Sequence, residues 1–283
     1  MRFNRTAALW VLCWCLLPCV AVATGGLQAA SPDPETLRPI EAYDTVFLEE
    51  MTWLEVRDAM RAGKTTAIIA TGGIEQNGPY LALGKHNYIL QATTDRIARQ
   101  LDDALVAPIV PFVPEGDIDP PSGHMRYPGT ISVRAATFKM LLVDIAESLR
   151  AHGFEHIVLI GDSGGNQEGM KEVAAQLTEE WSPAGTTIHF IPEYYDNPRW
   201  IEWLQARGIE EVNEDLHDDV RHSAIMMVVD PMTVRMPQRL VAGKFSINGV
   251  DLAPVDETVA LANDLIDYQA TVTVEAIRQA IGQ

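Results

Sequence analysis

The stretch HIVLIGDSGGNQEG, residues 156–169, decides the architecture of the chain. A short apolar run, of strand length and rich in isoleucine and valine, breaks at Gly161 into a glycine-rich turn around Ser163. A helical stretch over 166–181 follows. The unit is a buried strand running through a tight turn into a helix, and the same alternation recurs on both sides. Further strand candidates are TTAIIAT (65–71), ALVAPIVPFV (104–113) and TIHFIPEYY (187–195). Helix candidates run over 87–101, 135–152, 198–207 and 256–281. In the 135–152 segment Phe138, Leu141, Leu142, Ile145 and Leu149 recur at helical spacing. Buried strands alternating with amphipathic helices predict a single three-layer α/β/α sandwich with a largely parallel sheet.

In such sheets sites form where strand C-termini enter loops. GGIEQNGPYLALGKH, PEGDIDPPSGHMRYPGT and GDSGGN follow the first three strands. DLHDDVRHSAIMM precedes or opens a helix, because Val220, Ala224, Met227 and Val228 fall on one helical face.

The chain has 283 residues, 47% hydrophobic, enough for one large or two modest domains. A net charge of −18, scattered along the chain, argues against a nucleic-acid surface and for solubility. Arg2 and Arg5 precede the apolar run AALWVLCWCLLPCVAVA, and Ala21-Val22-Ala23 offers small residues for a signal peptidase. Residues 1–23 read as a signal peptide, with the mature chain beginning near Thr24. The run is short for a spanning helix, so no stable membrane insertion is expected after cleavage, and the expected location is the periplasm. Cys13, Cys15 and Cys19 all lie in this segment, which leaves the mature chain without thiols or disulfides. Residues 24–40 read as a flexible leader and 41–283 as the folded domain.

Gly161 to Gly165 satisfies G-x-S-x-G and also spells GDSGG. The second string belongs to double β-barrels, which this alternation excludes. The first has the strand–turn–helix context of a nucleophile elbow, with His217 and His222 downstream and Asp196, Glu210 or Glu214 as the acid. GPYLALGKH (78–86) has the wrong spacing for a phosphate loop, with His86 where a hydroxyl should hold magnesium.

Four segments, in order and over roughly residues 45–240, resemble the creatininase (creatinine amidohydrolase) family. They are TGGIEQNGPYLALGKHNYIL, SGHMRYPGTISVRAATF, HGFEHIVLIGDSGGN and DLHDDVRHSAIMMVVDPMTVR. The resemblance implies an α/β/α sandwich, a hexameric homo-oligomer, and a pair of divalent cations that activate water against a C–N bond. Glu75 matches the family's first glutamate ligand, and the next histidine ligand falls on Asn77. The bridging aspartate falls on His86, the histidine of the Asn-Gly-His-Gly-Gly-Asn turn on Ser163, and a late carboxylate on His222. His124 and His217 keep family histidines.

A carboxylate can bridge two cations, but a neutral imidazole has one free lone pair and cannot. The resemblance, so altered, implies one cation on Glu75, His86 and His222: zinc, with iron or manganese as alternatives. A metal-free pocket stays open beside it. Asp162 or His217 would add a ligand or act as general base. Asn77, Tyr80 and His124 would line the substrate side, while Trp200 and Trp203 suit a helix face packed on the core. The expected activity is hydrolysis of an amide or other C–N bond of a small molecule. A metal-independent hydrolase using Ser163, and a non-catalytic binding descendant of the family, are the alternatives.

Overall fold

A computed structural model describes residues 32–181 and 185–283. The expected signal peptide and the first part of the leader lie outside the described residues. The compact unit spans Arg38–Gln283. No described helix is long and apolar enough to cross a membrane.

Four parallel strands form the sheet in the order β2-β1-β3-β4: β1 (Thr66–Thr71), β2 (Ala104–Val106), β3 (His156–Gly161) and β4 (Thr187–Phe190). The central pair is in register from Thr66 opposite His156 to Thr71 opposite Gly161. β1 is buried along its whole length, as expected of a strand covered on both faces.

Side chains alternate between two apolar layers. Ala67, Ile69, Ile157 and Leu159 pack with α3 (Ala135–Ala151) and α4 (Gln167–Trp181) through Phe138, Leu142, Met170 and Leu177. Ile68, Ala70, Val158 and Ile160 pack on the other side with α2 (Lys85–Leu101) and α8 (Val255–Ile281) through Leu90, Ile97, Ala270 and Val274. The three-layer α/β/α order expected from the sequence is present. A further apolar cluster joins α2 and α8 to α6 (Val220–Val229), and α5 (Asn197–Gln205) enters it through Trp203 and Leu204. Trp200 is buried edge-on to Tyr268, and Trp203 stacks on the same ring, so both tryptophans are core residues.

Two strands are shorter than expected. The 104–113 segment leaves the ladder at Val106, because Pro108 and Pro111 have no amide proton to donate. Val110 still reaches β1, donating to Ala70 O at 2.9 Å and accepting from Gly72 N at 2.9 Å. The 187–195 segment stops at Phe190, where Pro192 opens a 3-10 turn over Pro192–Tyr195.

Two helices and a two-stranded hairpin are not among the elements expected from the sequence. Helix α1 (Trp53–Arg61) starts in a reciprocal cap: Thr52 N donates to Glu55 Oε2 at 2.7 Å, and Glu55 N to Thr52 Oγ1 at 3.4 Å. Helix α7 (Met236–Ala242) precedes a small hairpin of β5 (Ser246–Ile247) and β6 (Val250–Asp251). Its turn is Asn248-Gly249, both at positive φ (50° and 78°), which is the dipeptide such hairpins favour.

Candidate metal centre

The C-terminal ends of β1 and β3 open into one cavity of about 620 Å³. Asn166 fastens its floor: the side-chain amide donates to Gly72 O at 2.8 Å and to Thr71 O at 3.2 Å, tying the turn after β3 to the end of β1. Gly165 lies so close to Pro114 O that any Cβ would collide with it. Those two contacts give the Gly-Gly-Asn sequence a physical role.

Glu75 sits on the loop between β1 and α2, and its carboxylate is the hub of the cavity. Oε1 is 2.7 Å from His86 Nε2, 3.0 Å from His217 Nε2 and 3.5 Å from Lys85 Nζ. Oε2 is 3.2 Å from His124 Nε2. His86, in the first turn of α2, reaches a second carboxylate through its other nitrogen, with Nδ1 2.8 Å from Asp162 Oδ2. Asp162 Oδ1 in turn accepts from the Arg221 guanidinium at 2.9 Å. The remaining guanidinium fork donates to His222 Nε2 at 2.9 Å, and His222 Nδ1 lies 2.6 Å from Asp219 Oδ1.

The electrostatics follow from this chain of contacts. Burial works against the Glu75 anion, but hydrogen bonds from His217 and His86 and the charge of Lys85 outweigh it and hold the carboxyl far below its usual range. Burial opposes ionisation of Asp162 too, and Arg221 and His86 overcome it. His86 faces a carboxylate at each nitrogen. Burial lowers its pKa, yet the bonds to Asp162 and Glu75 raise it on balance. His222 is pushed down to about 4, mainly by burial, against the pull of Asp219. Glu115 moves the opposite way to Glu75. Burial and the adjacent Glu75 charge push its carboxyl up to about 9, and its Oε1 is buried without a hydrogen-bond partner.

Among the described residues, six fall into two groups with metal-ligand spacing: Glu75, His124 and His217, and His86, Asp162 and His222. Within each group the donor atoms lie within 4.8 Å of one another. The trio expected from the sequence is therefore divided, with Glu75 in one group and His86 and His222 in the other. Two imidazoles and one carboxylate still come together around Glu75, but the imidazoles are His124 and His217. That set has the composition of a zinc site, and Glu115 Oε1 lies buried at the same cavity without a hydrogen-bond partner. His217 is held at φ 55°, a left-handed conformation uncommon for a residue with a side chain.

Other expected site residues are placed differently. Asn77 and Tyr80 do not line the cavity. Asn77 is buried and braces the loop, its amide donating to Glu75 O at 2.9 Å and Ala82 O at 3.2 Å. The Tyr80 ring is covered by the Arg239 guanidinium, 4.3 Å from its centroid. Ser163 does line the cavity, but its backbone is relaxed and extended (φ −119°, ψ 143°), unlike a strained elbow. Neither His217 nor His222 hydrogen-bonds its hydroxyl; their partners are Glu75 for the one, Arg221 and Asp219 for the other. Lys85, Glu115, Asp219 and Arg221 were not singled out from the sequence. Lys85 and Arg221 do stand directly beside two residues that were, His86 and His222.

The family model described as creatinine amidohydrolase matches residues 49–264. A mycofactocin precursor peptide peptidase of Mycolicibacterium smegmatis is 30% identical over 131 residues, 44% of this chain and 50% of that protein. The chain thus spans about half the length of that relative. Creatinine amidohydrolase of Pseudomonas putida is 25% identical over 218 residues, 75% of this chain and 82% of that protein. Among solved structures, a tryptophan-to-alanine mutant creatininase superposes with a TM-score of 0.63 at 21% identity, covering 84% of this chain and all of that one. A manganese creatininase gives 0.59 at 22% identity, and a mutant creatininase of Zn-Zn type 0.57 at 21%. Each covers 84% of this chain and 97% or 98% of the other. At these identities the structural likeness speaks for the fold.

Proposed function

The chain belongs to the creatininase family, and on that premise we propose that it hydrolyses an amide or other C–N bond of a small molecule with the help of one divalent cation. The observation that carries this is the convergence of His124 and His217 on the Glu75 carboxylate at the cavity wall. Glu75, His124 and His217 would hold the ion, zinc or manganese as in the solved relatives, or iron. When bound, it supplies a Lewis acid for attack of water on an unactivated carbonyl.

The remaining roles belong to the chain's own groups. His86, fixed between Glu75 and Asp162, locks the orientation of the Glu75 carboxylate. The Glu115 carboxyl, buried with one oxygen unpartnered, takes the proton handling that the sequence suggested for Asp162 or His217. Asp162 is engaged by Arg221 and His86 and serves to position them. The Ser163 hydroxyl and the Tyr195 ring are cavity wall available for substrate contact.

The test is amine or ammonia release from a panel of cyclic and linear amides and short peptides, before and after chelator treatment. Turnover should vanish on stripping, return with zinc or manganese, and be lost in Glu75→Gln. Turnover indifferent to chelator, with fluorophosphonate labelling of Ser163, would replace this mechanism by a serine one.

A further inference from the structure

We propose that the Arg221 guanidinium occupies the place of a second cation, so that the chain holds one divalent ion and excludes another. The inference rests on the metal reading of the Glu75 group and concerns the other group, His86, Asp162 and His222.

Both oxygens of Asp162, Nδ1 of His86 and Nε2 of His222 are already engaged. Asp162 Oδ1 accepts from Arg221 at 2.9 Å, and Asp162 Oδ2 faces His86 Nδ1 at 2.8 Å. The other arm of the guanidinium donates to His222 Nε2 at 2.9 Å. An imidazole nitrogen that accepts a proton donor carries no proton, so the proton of neutral His222 sits on Nδ1, which lies 2.6 Å from Asp219 Oδ1 without hydrogen-bond geometry and offers no free lone pair to a cation. Gln269 Oε1 accepts a further guanidinium bond at 3.2 Å. The fork therefore does what a metal ion would do: it draws one carboxylate and one imidazole together from two different elements.

Arg221 cannot vacate this role by losing its proton, since guanidinium stays charged under all conditions in which proteins fold. It is also almost wholly buried. A divalent ion entering the group would have to displace a buried positive charge bonded at 2.9 Å to both Asp162 and His222, whereas Lys85 stands 3.5 Å from Glu75. The location of Arg221 is itself unfavourable without this role. It lies in the first turn of α6, where the positive end of the helix dipole disfavours a cation. Asp162 from one side and Asp219, the N-cap of that helix, from the other offset the cost.

The experiment is the count of metal ions per chain, by elemental analysis and by calorimetric titration with zinc, in wild type, Arg221→Lys and Arg221→Ala. Wild type and Arg221→Lys should saturate at one equivalent. Arg221→Ala should take up a second, and millimolar guanidinium, refilling the vacated fork, should expel that second ion but not the first. One equivalent in folded Arg221→Ala, or two in wild type, overturns the inference and leaves the proposed function standing. No ion in any of the three overturns both. Should Arg221→Ala fail to fold, cobalt titration of the wild type decides: the visible spectrum should stop changing at one equivalent, and saturation at two contradicts the proposal.

Discussion

Two carboxylates organise the cavity, and their surroundings differ in wetness. The histidines that converge on Glu75 alone, His124 and His217, are 27% and 42% exposed at the side chain. The groups around Asp162 are drier, with His86 6%, His222 15% and Arg221 4% exposed. A buried carboxylate that water cannot reach must be given a permanent counter-charge by the fold, and Arg221 is that charge. Glu75 is itself buried, with Lys85 3.5 Å away, but the two half-exposed histidines that reach it can exchange partners, which is what the proposed reversible metal site needs. The same residue types thus serve as scaffold on one side of His86 and as the proposed binding site on the other.

That contrast can be broken from either side. Asp162→Asn should cause the largest loss, about 3–5 kcal/mol in denaturant unfolding, because it strands a buried guanidinium. His217→Ala removes a hydrogen bond to the buried Glu75 carboxylate and should cost about 1–2 kcal/mol in the metal-free chain. It should abolish the stabilisation by zinc, about 2.7 kcal/mol when the free ion is at 100 times Kd, as read from melting temperature. Asn77→Ala removes a buried amide that holds two loop carbonyls and should cost about 1–3 kcal/mol. A parallel loss of zinc affinity is expected, since the same loop carries Glu75.

Glu115→Gln sharpens the comparison through pH. In the folded chain Glu75 and burial hold the Glu115 proton up to about 9, whereas an unfolded glutamate releases it near pH ~4.3. The unfolded state therefore sheds the proton first, and wild-type stability should fall as pH rises from about 4.3 towards 9. Lys85, the facing cation, moderates the effect without reversing it. Metal-free Glu115→Gln should match wild type near pH 4 and melt at a higher temperature at pH 8. Equal melting temperatures at pH 8 would contradict the shift. Ser163→Ala should have the smallest effect, less than a few-fold on turnover, because no base contacts its hydroxyl.

Much of the fold was legible because burial leaves a strong mark on sequence. The apolar runs at 66–71 and 156–161 and the spacing of Phe138, Leu142 and Leu149 required a covered parallel sheet. Two prolines shortened the second strand, and their missing amide protons were visible in advance. The Thr-x-x-Glu cap of α1 and the Asn-Gly turn of the small hairpin were equally readable signals that went unread. The site was legible as a set of loops but not as a set of partners. Glu75, His86, His124, Asp162, His217 and His222 all reach one cavity, yet which histidine faces which carboxylate depends on side-chain direction across four segments. Lys85 and Arg221 were invisible for a related reason. In sequence a lone Lys or Arg reads as solvated surface, and only the packing of α2, α6 and α8 shows that these two are buried.

The most direct test is elemental analysis of the protein purified without a histidine tag, stripped of metal, then dialysed against chelator-treated buffer to which a slight excess of zinc over chain has been added. One equivalent per chain, abolished by His217→Ala and retained by Ser163→Ala, is the expected result. A wild-type chain that stays free of metal, or one that fills with two ions, would contradict it.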